Sequence, residues 1–243
     1  MSALYGYPDY YLTTAHDTPV CELGSRFTAK EKTNYAGKCG QWDVVYVRAT
    51  TSITRGTAVA SYGVVSVADS GTSTVNAWVD AAGFPVTADL LVGGRIDVDV
   101  GATPIEADTR WIKSNTSGLI VPDVAFSDIP TNGDTATVSA PYLCMPGTIA
   151  RNGSLLGVPL ATATIGQYLF VLQRGFYPIA IVTTAVAIVG GCGMASNDSA
   201  AWIQYTVIAN AQIHQVSGPK AYSMGTKTVT TSSGTTFPIF VTC

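Results

Sequence analysis

The chain has 243 residues and a formal net charge of −3, and only 12% of its residues are charged, against the roughly 25% that is usual. An apolar share of 47% excludes intrinsic disorder, thirteen scattered Lys and Arg give no basic footprint for nucleic acid, and the length suits one large all-β domain or two small ones. The remaining surface has to be neutral and rich in Ser and Thr, the kind of surface that a partner covers.

Residues 1–38 predict an extended N-terminal arm. It carries Tyr5, Tyr7, Tyr10 and Tyr11 without periodicity, and it has neither the basic nor the apolar region of a secretory signal. Residues 39–243 predict a β-rich domain, with strands over 43–49, 75–79, 135–140, 168–173, 179–184, 202–208 and 211–216. Residues 88–92 and 95–100 predict a hairpin through Gly93-Gly94, with Ile96, Val98 and Val100 inward and Arg95, Asp97 and Asp99 in water. A second hairpin is expected through Ser233-Gly234, joining 226–231 to 237–241, and further turns at Ser70-Gly71 and Asn152-Gly153. The loop-like run Ile129-Pro130-Thr131-Asn132-Gly133 marks a subdivision near 129–133. Residues 175–197 are uncharged and long enough to cross a bilayer. Pro178, the Gly190-Gly191-Cys192-Gly193 cluster and the Ile/Val/Thr content make them buried strands instead. The expectation is an all-β fold, a β-barrel or β-sandwich of about a dozen short strands, with no membrane span. A faint repeat aligns Gly40-Gln41-Trp42 and its strand with Gly166-Gln167-Tyr168 and its strand.

Chemistry-bearing residues are few. Cys21, Cys39, Cys144, Cys192 and Cys243 are odd in number and widely spaced, which fits reduced thiols in a cytosol, with a Cys21–Cys39 bridge as the alternative and no zinc site. His214, opposite Ile213 in an alternating strand, is expected to face solvent, His16 is not expected to bind a metal, and no cofactor is expected. Asp97 and Asp99 share one strand face, with Glu106 and Asp108 close behind. Such carboxylates could serve a carbohydrate-active enzyme, but a half-buried strand also forces polar residues outward, and Trp111 is the sole aromatic nearby. Four tyrosines on an irregular arm cannot bury one another. Tyr5, Tyr7, Tyr10 and Tyr11 are therefore the candidate partner-binding residues.

Val44-Val45-Tyr46-Val47-Arg48-Ala49 with Ile53 and Gly56-Thr57-Ala58-Val59, and then Leu156-Gly157-Val158-Pro159-Leu160-Ala161-Thr162-Ala163-Thr164-Ile165-Gly166-Gln167-Tyr168-Leu169-Phe170-Val171, resemble the capsid decoration or cement (auxiliary head) proteins of tailed phages. The resemblance covers about a third of the chain. The N-terminal arm, a middle stretch of about residues 66–150 and the C-terminal strands depart from it. It implies a non-enzymatic structural virion protein, folded in the host cytoplasm, that binds the major capsid protein on the outer surface of an icosahedral head. It also implies self-association as a homo-oligomer, a trimer before a dimer. A trimeric fibre or receptor-binding module is the alternative binding role.

Overall fold

A computed structural model describes residues 2–3, 12–30, 41–69, 73–80, 84, 87–101, 105–147, 154–182, 187–188, 193–196, 200, 202–204, 221–224, 227–228 and 235–243. The fold is all-β, as the alternation and turn spacing require. Its strands among these residues are β1 (Ser2–Ala3), β2 (Arg26–Lys30), β3 (Gln41–Ala49), β4 (Val59–Val67), β5 (Trp78–Val79), β6 (Arg95–Val100), β7 (Thr109–Thr116), β8 (Leu119–Pro122) and β9 (Thr135–Pro146). They continue with β10 (Leu155–Pro159), β11 (Tyr168–Val182), β12 (Ala187–Ile188), β13 (Gly193–Ser196), β14 (Trp202–Gln204), β15 (Ala221–Ser223), β16 (Lys227–Thr228) and β17 (Thr235–Thr242).

The chain divides into two units, one made of residues 1–60, 144–150 and 154–243, the other of 61–143 and 151–153. The second unit is an insertion between two parts of the first. The subdivision expected near 129–133 is not the boundary. That run lies inside the second unit, where the Asp134 carboxylate accepts from Thr131 N (2.7 Å) and Thr131 Oγ1 (3.1 Å) and closes a turn into β9. Pro, Asn and Gly write tight turns and linkers with the same letters.

The first unit is organised on β3 and β11, which pair antiparallel from Tyr168 opposite Arg48 to Arg174 opposite Asp43. The later half of β11 pairs with β17, with a register shift between Tyr177 and Ala180 where Pro178 has no N–H to give. Two strands expected at 168–173 and 179–184 are thus one strand of 15 residues. Both faces of the β3–β11 pair are buried. Trp42, Val44, Tyr46, Phe170 and Leu172 pack on one side, and Val45, Val47, Ala49, Leu169 and Val171 on the other. A strand covered on both faces reads as a continuous apolar run, which is how Val44-Val45-Tyr46-Val47 arises.

Residues 12–30, assigned to the arm from sequence, are part of this unit. Strand β2 pairs with β3, Leu12 and Ala29 are buried in the first core, and Val20, Cys21, Leu23 and Phe27 pack against it. Tyr46 holds this segment through its side chain and its backbone. Its hydroxyl accepts from Val20 N (3.1 Å), its carbonyl accepts from Gly24 N (2.8 Å) and its N–H donates to Ser25 O (3.0 Å). The segment escaped sequence reading because it covers a core face with scattered apolar side chains, which leave no periodic stripe.

The structure contains a repeat, but on a different alignment from the expected one. Residues 51–60 match 161–170 turn for turn. Ile53 and Ala163 exchange both backbone bonds (Ile53 N to Ala163 O 2.8 Å, Ala163 N to Ile53 O 3.0 Å). Gly56 N donates to Pro159 O at 3.2 Å, as Gly166 N donates to Ala49 O at 2.8 Å. The two glycines have φ of 83° and 85°. The segments expected to be copies, 44–47 and 169–172, are instead paired neighbours in the sheet. Only Thr54/Thr164 and Gly56/Gly166 are identical within these turns, too few letters to find the alignment.

In the second unit β6 lies between β7 and β9, and β8 pairs with β7 and β5. The hairpin expected from 88–92 into β6 is not formed, because 88–92 are turns. Asp89 has φ 57°, Leu90 and Leu91 are both buried, and Asn115 ties the run down by accepting from Leu91 N through its side chain (2.7 Å). The real partners of β6 are β7 and β9. Strands β7 and β8 were not expected. The 226–231/237–241 hairpin, the turns at 70–71 and 152–153, and strand 211–216 lie wholly or in part outside the described residues.

The core of this unit contains a buried polar relay. Trp78 Nε1 donates to Ser66 Oγ (2.8 Å), and Ser66 Oγ donates to Asp80 Oδ2 (2.8 Å). Trp78 and Ser66 are fully buried. Ser66→Ala therefore leaves the indole N–H without its acceptor and is expected to cost about 1–3 kcal/mol. Equilibrium urea unfolding checks this, and a change below about 0.5 kcal/mol, the level of an uninvolved surface substitution, would contradict it.

Candidate functional site

Tyr5, Tyr7, Tyr10 and Tyr11 lie outside the described residues. On either side of them the chain belongs to the first unit: Ser2 and Ala3 pair parallel with Phe27 and Thr28, and Leu12 is buried.

The four acidic candidates are close in the fold of the second unit but differ in engagement. Strand register sets Asp97 opposite Thr109 on β7 and Thr137 on β9. Asp97 accepts from Arg95 Nε (2.8 Å) on one oxygen and from Thr109 Oγ1 (2.8 Å) on the other. Asp99 accepts from Thr137 Oγ1 (2.6 Å). Asp108 is held by Ser127 through its backbone N (2.7 Å) and Oγ (2.8 Å), and by Arg110 Nη2 (3.1 Å). Glu106 is exposed. Three of the four are thus parts of lateral polar ladders that tie neighbouring strands and a loop together. That is the ordinary use of polar side chains on the open face of a sheet.

Beside this ladder is an open cleft with a volume of about 250 Å³, lined by Ser61, Tyr62, Arg95, Trp111, Ser139 and Pro141. Its floor follows from strand register. Trp111 and Ser139 stand on either side of Arg95, so one row across β7, β6 and β9 presents an indole, a guanidinium and a hydroxyl. Trp111 is 58% exposed, whereas Trp42, Trp78 and Trp202 are buried. Sequence reading noted Trp111 only as a neighbour of the carboxylates. The available signal was alternation: with Ile112 inward, its neighbour Trp111 on β7 has to face out.

The second unit also holds eight of the eleven exposed large apolar side chains among the described residues, including Val65, Val100, Trp111, Val124 and Tyr142. Single exposed apolar residues are normal, but their concentration on one unit of a weakly charged chain is not evenly spread chemistry.

In the first unit burial holds back the ionisation of three groups, Cys21, Tyr46 and Cys144. Cys21 and Cys144 are free thiols; Cys39, the alternative partner expected for Cys21, and Cys192 lie outside the described residues. Burial pushes the Cys21 thiol up to about 11 and the Cys144 thiol higher still. A raised pKa opposes thiolate formation, so neither is an activated nucleophile. Burial is also the main cause that pushes the Tyr46 phenol up to about 12, against the hydrogen bond from Val20, which lowers it. His16 bridges to Tyr168 through the backbone and sits near the rings of Tyr46 and Phe170. His214 lies outside the described residues, and no cluster of three His, Cys, Asp or Glu suited to a metal occurs among the described ones. Among them, no helix is long and apolar enough to cross a membrane.

These shifts set the alkaline behaviour. Each group keeps in the folded state a proton that the unfolded chain releases, so stability falls as pH rises. It is full below the ordinary thiol value of 9.0, declines as the unfolded thiols and phenol ionise, and reaches its full loss only above the folded values of about 11 and 12. Urea midpoints measured from pH 7 to 11 are expected to be level up to about pH 9 and to fall thereafter; a flat profile would contradict it.

Comparison with family models, with curated proteins and with solved structures finds no match for the chain.

Proposed function

We propose that the protein is a structural virion protein, a capsid decoration or cement protein of a tailed phage. It would bind the major capsid protein on the outer surface of the head and associate with its own copies, as a trimer before a dimer. The observation that carries this reading is the concentration, among the described residues, of exposed apolar side chains on the second unit of a chain with only 12% charged residues. Such a surface gains by being covered, and closed oligomers and a capsid lattice both cover it. The lateral pairing of Asp97, Asp99 and Asp108 supports binding over catalysis, because carboxylates tied into ladders are set for rigidity. The resemblance of 44–59 and 156–171 to decoration proteins adds the capsid as partner. In this role the protein works by mass action: binding only the assembled shell, it stabilises that shell and nothing else.

The tyrosine stretch supplies the anchor. Burying one such ring gains on the order of 1.5–3 kcal/mol, and rings of this kind commonly dominate an interface. Replacing Tyr5, Tyr7, Tyr10 and Tyr11 together by serine leaves β1 and Leu12 in place. The variant is expected to keep its melting temperature and to lose co-sedimentation with purified shells, or its oligomeric mass in light scattering. A melting temperature lowered by several degrees with shell binding and mass unchanged would place the rings in the protein's own fold and contradict the anchor.

A further inference from the structure

We propose that the cleft at Trp111 is a binding site for a neutral saccharide of one or two sugar rings, an activity that does not depend on the decoration role. A sugar ring has an apolar C–H face and a rim of hydroxyls. It needs a flat apolar platform and hydrogen-bonding groups beside it, and the cleft has both. The platform is the indole of Trp111, 58% exposed. The rim is met by the Arg95 guanidinium and by the hydroxyls of Ser61 and Ser139, with Pro141 and the buried Tyr62 completing the wall.

Three features favour this ligand over others. First, the site is held in place before any ligand arrives. The Trp111 backbone is tied to Asp123, its N–H donating to the Asp123 carboxylate (3.2 Å) and its carbonyl accepting from the Asp123 N–H (2.9 Å). The Arg95 Nε is fixed by Asp97, which Thr109 fixes in turn. A weak ligand needs such preorganisation, since little of its binding energy is then spent on ordering side chains. Second, the Arg95–Asp97 ion pair at 2.8 Å cancels the guanidinium charge while keeping its donors, which suits uncharged hydroxyls rather than an anionic sugar or phosphate. Third, about 250 Å³ is below the usual range of roughly 300–1,000 Å³ for drug-sized ligands and matches a small ring. A proline-rich peptide also uses aromatic surfaces, but it docks in grooves lined by several exposed rings. Here one ring is exposed and the other, Tyr62, is buried at 3%.

The test is titration calorimetry of the full chain with a panel of neutral sugars: the methyl glycosides of glucose, galactose, mannose and N-acetylglucosamine, and the disaccharides maltose, cellobiose and lactose. Octaproline serves as the peptide probe. At least one sugar is expected to bind with a Kd of about 1 mM. The same sugar should quench or shift the emission of the exposed tryptophan. Trp111→Ala is expected to weaken it at least tenfold and Arg95→Ala several-fold, with melting temperatures unchanged because both side chains are exposed. Trp111→Tyr, which keeps a ring, should fall between wild type and alanine and serves if the alanine variant misfolds. Absence of binding by every sugar at about 50 mM, fifty times the expected Kd, overturns the proposal. So does binding that Trp111→Ala leaves intact, and so does binding of octaproline in place of sugar.

Discussion

Tyr46→Ala is expected to cost the protein about 3–5 kcal/mol, the range for removing a large ring from a packed core. Tyr46 is fully buried on β3. Its ring lies 4.7 Å from that of Phe170 and 5.9 Å, nearly parallel, from that of Tyr168. Its hydroxyl also holds Val20, so alanine removes the ring contacts and one tie of the 12–30 segment together. Tyr46→Phe separates the two effects. It keeps the ring, removes only the acceptor for Val20 N, and should cost about 1 kcal/mol. Urea unfolding gives both values, and amide exchange at Val20 should accelerate in both variants. A Tyr46→Ala cost under about 2 kcal/mol would mean that the site collapses around the lost ring and that Tyr46 is not the pin described.

Gly157→Ala is expected to be at least as damaging. Gly157 has φ 138°, a conformation essentially closed to residues with a Cβ. An added Cβ would land on the carbonyl oxygen of Leu172, the backbone against which β10 pairs with β11. Neither group is a flexible side chain, so the strands have to separate. The expected loss is above about 3 kcal/mol, or failure to fold. Gly93→Ala provides the control. Its φ is 79° with nothing within 4 Å of the added Cβ, so it carries the conformational cost alone, about 1 kcal/mol. Equal effects in the two variants would show that overlap with Leu172 is not the cause.

The contrast between what sequence reveals and what it hides follows from periodicity. Strand β6 was legible because Ile96 and Val98 are buried and Arg95 and Asp99 are not; Val100, expected inward, is exposed, where the pairing with β9 shifts register. Strands β3 and β9 were legible for like reasons of run and alternation, and so was the all-β class. The 88–92 run looked like the other half of a hairpin because Leu90 and Leu91 precede two glycines. Only Asn115, distant in sequence, makes it a turn. The unit boundaries were hidden because no composition change accompanies Ala60–Ser61 or Leu143–Cys144. Those pairs lie inside strands β4 and β9. The candidate site was half visible. Asp97 and Asp99 stood out as acids, but the register that sets Trp111 opposite Arg95 joins residues from strands whose pairing depends on the omitted β7.

The function proposed for this chain is to coat a capsid. Electron cryomicroscopy of the native particle tests it most directly. The expected result is density for this chain at equivalent positions over the whole outer shell, with the stretch containing Tyr5, Tyr7, Tyr10 and Tyr11 packed against a neighbouring subunit. Density confined to the tail or to fibre tips, or a particle lacking the chain, would contradict the claim.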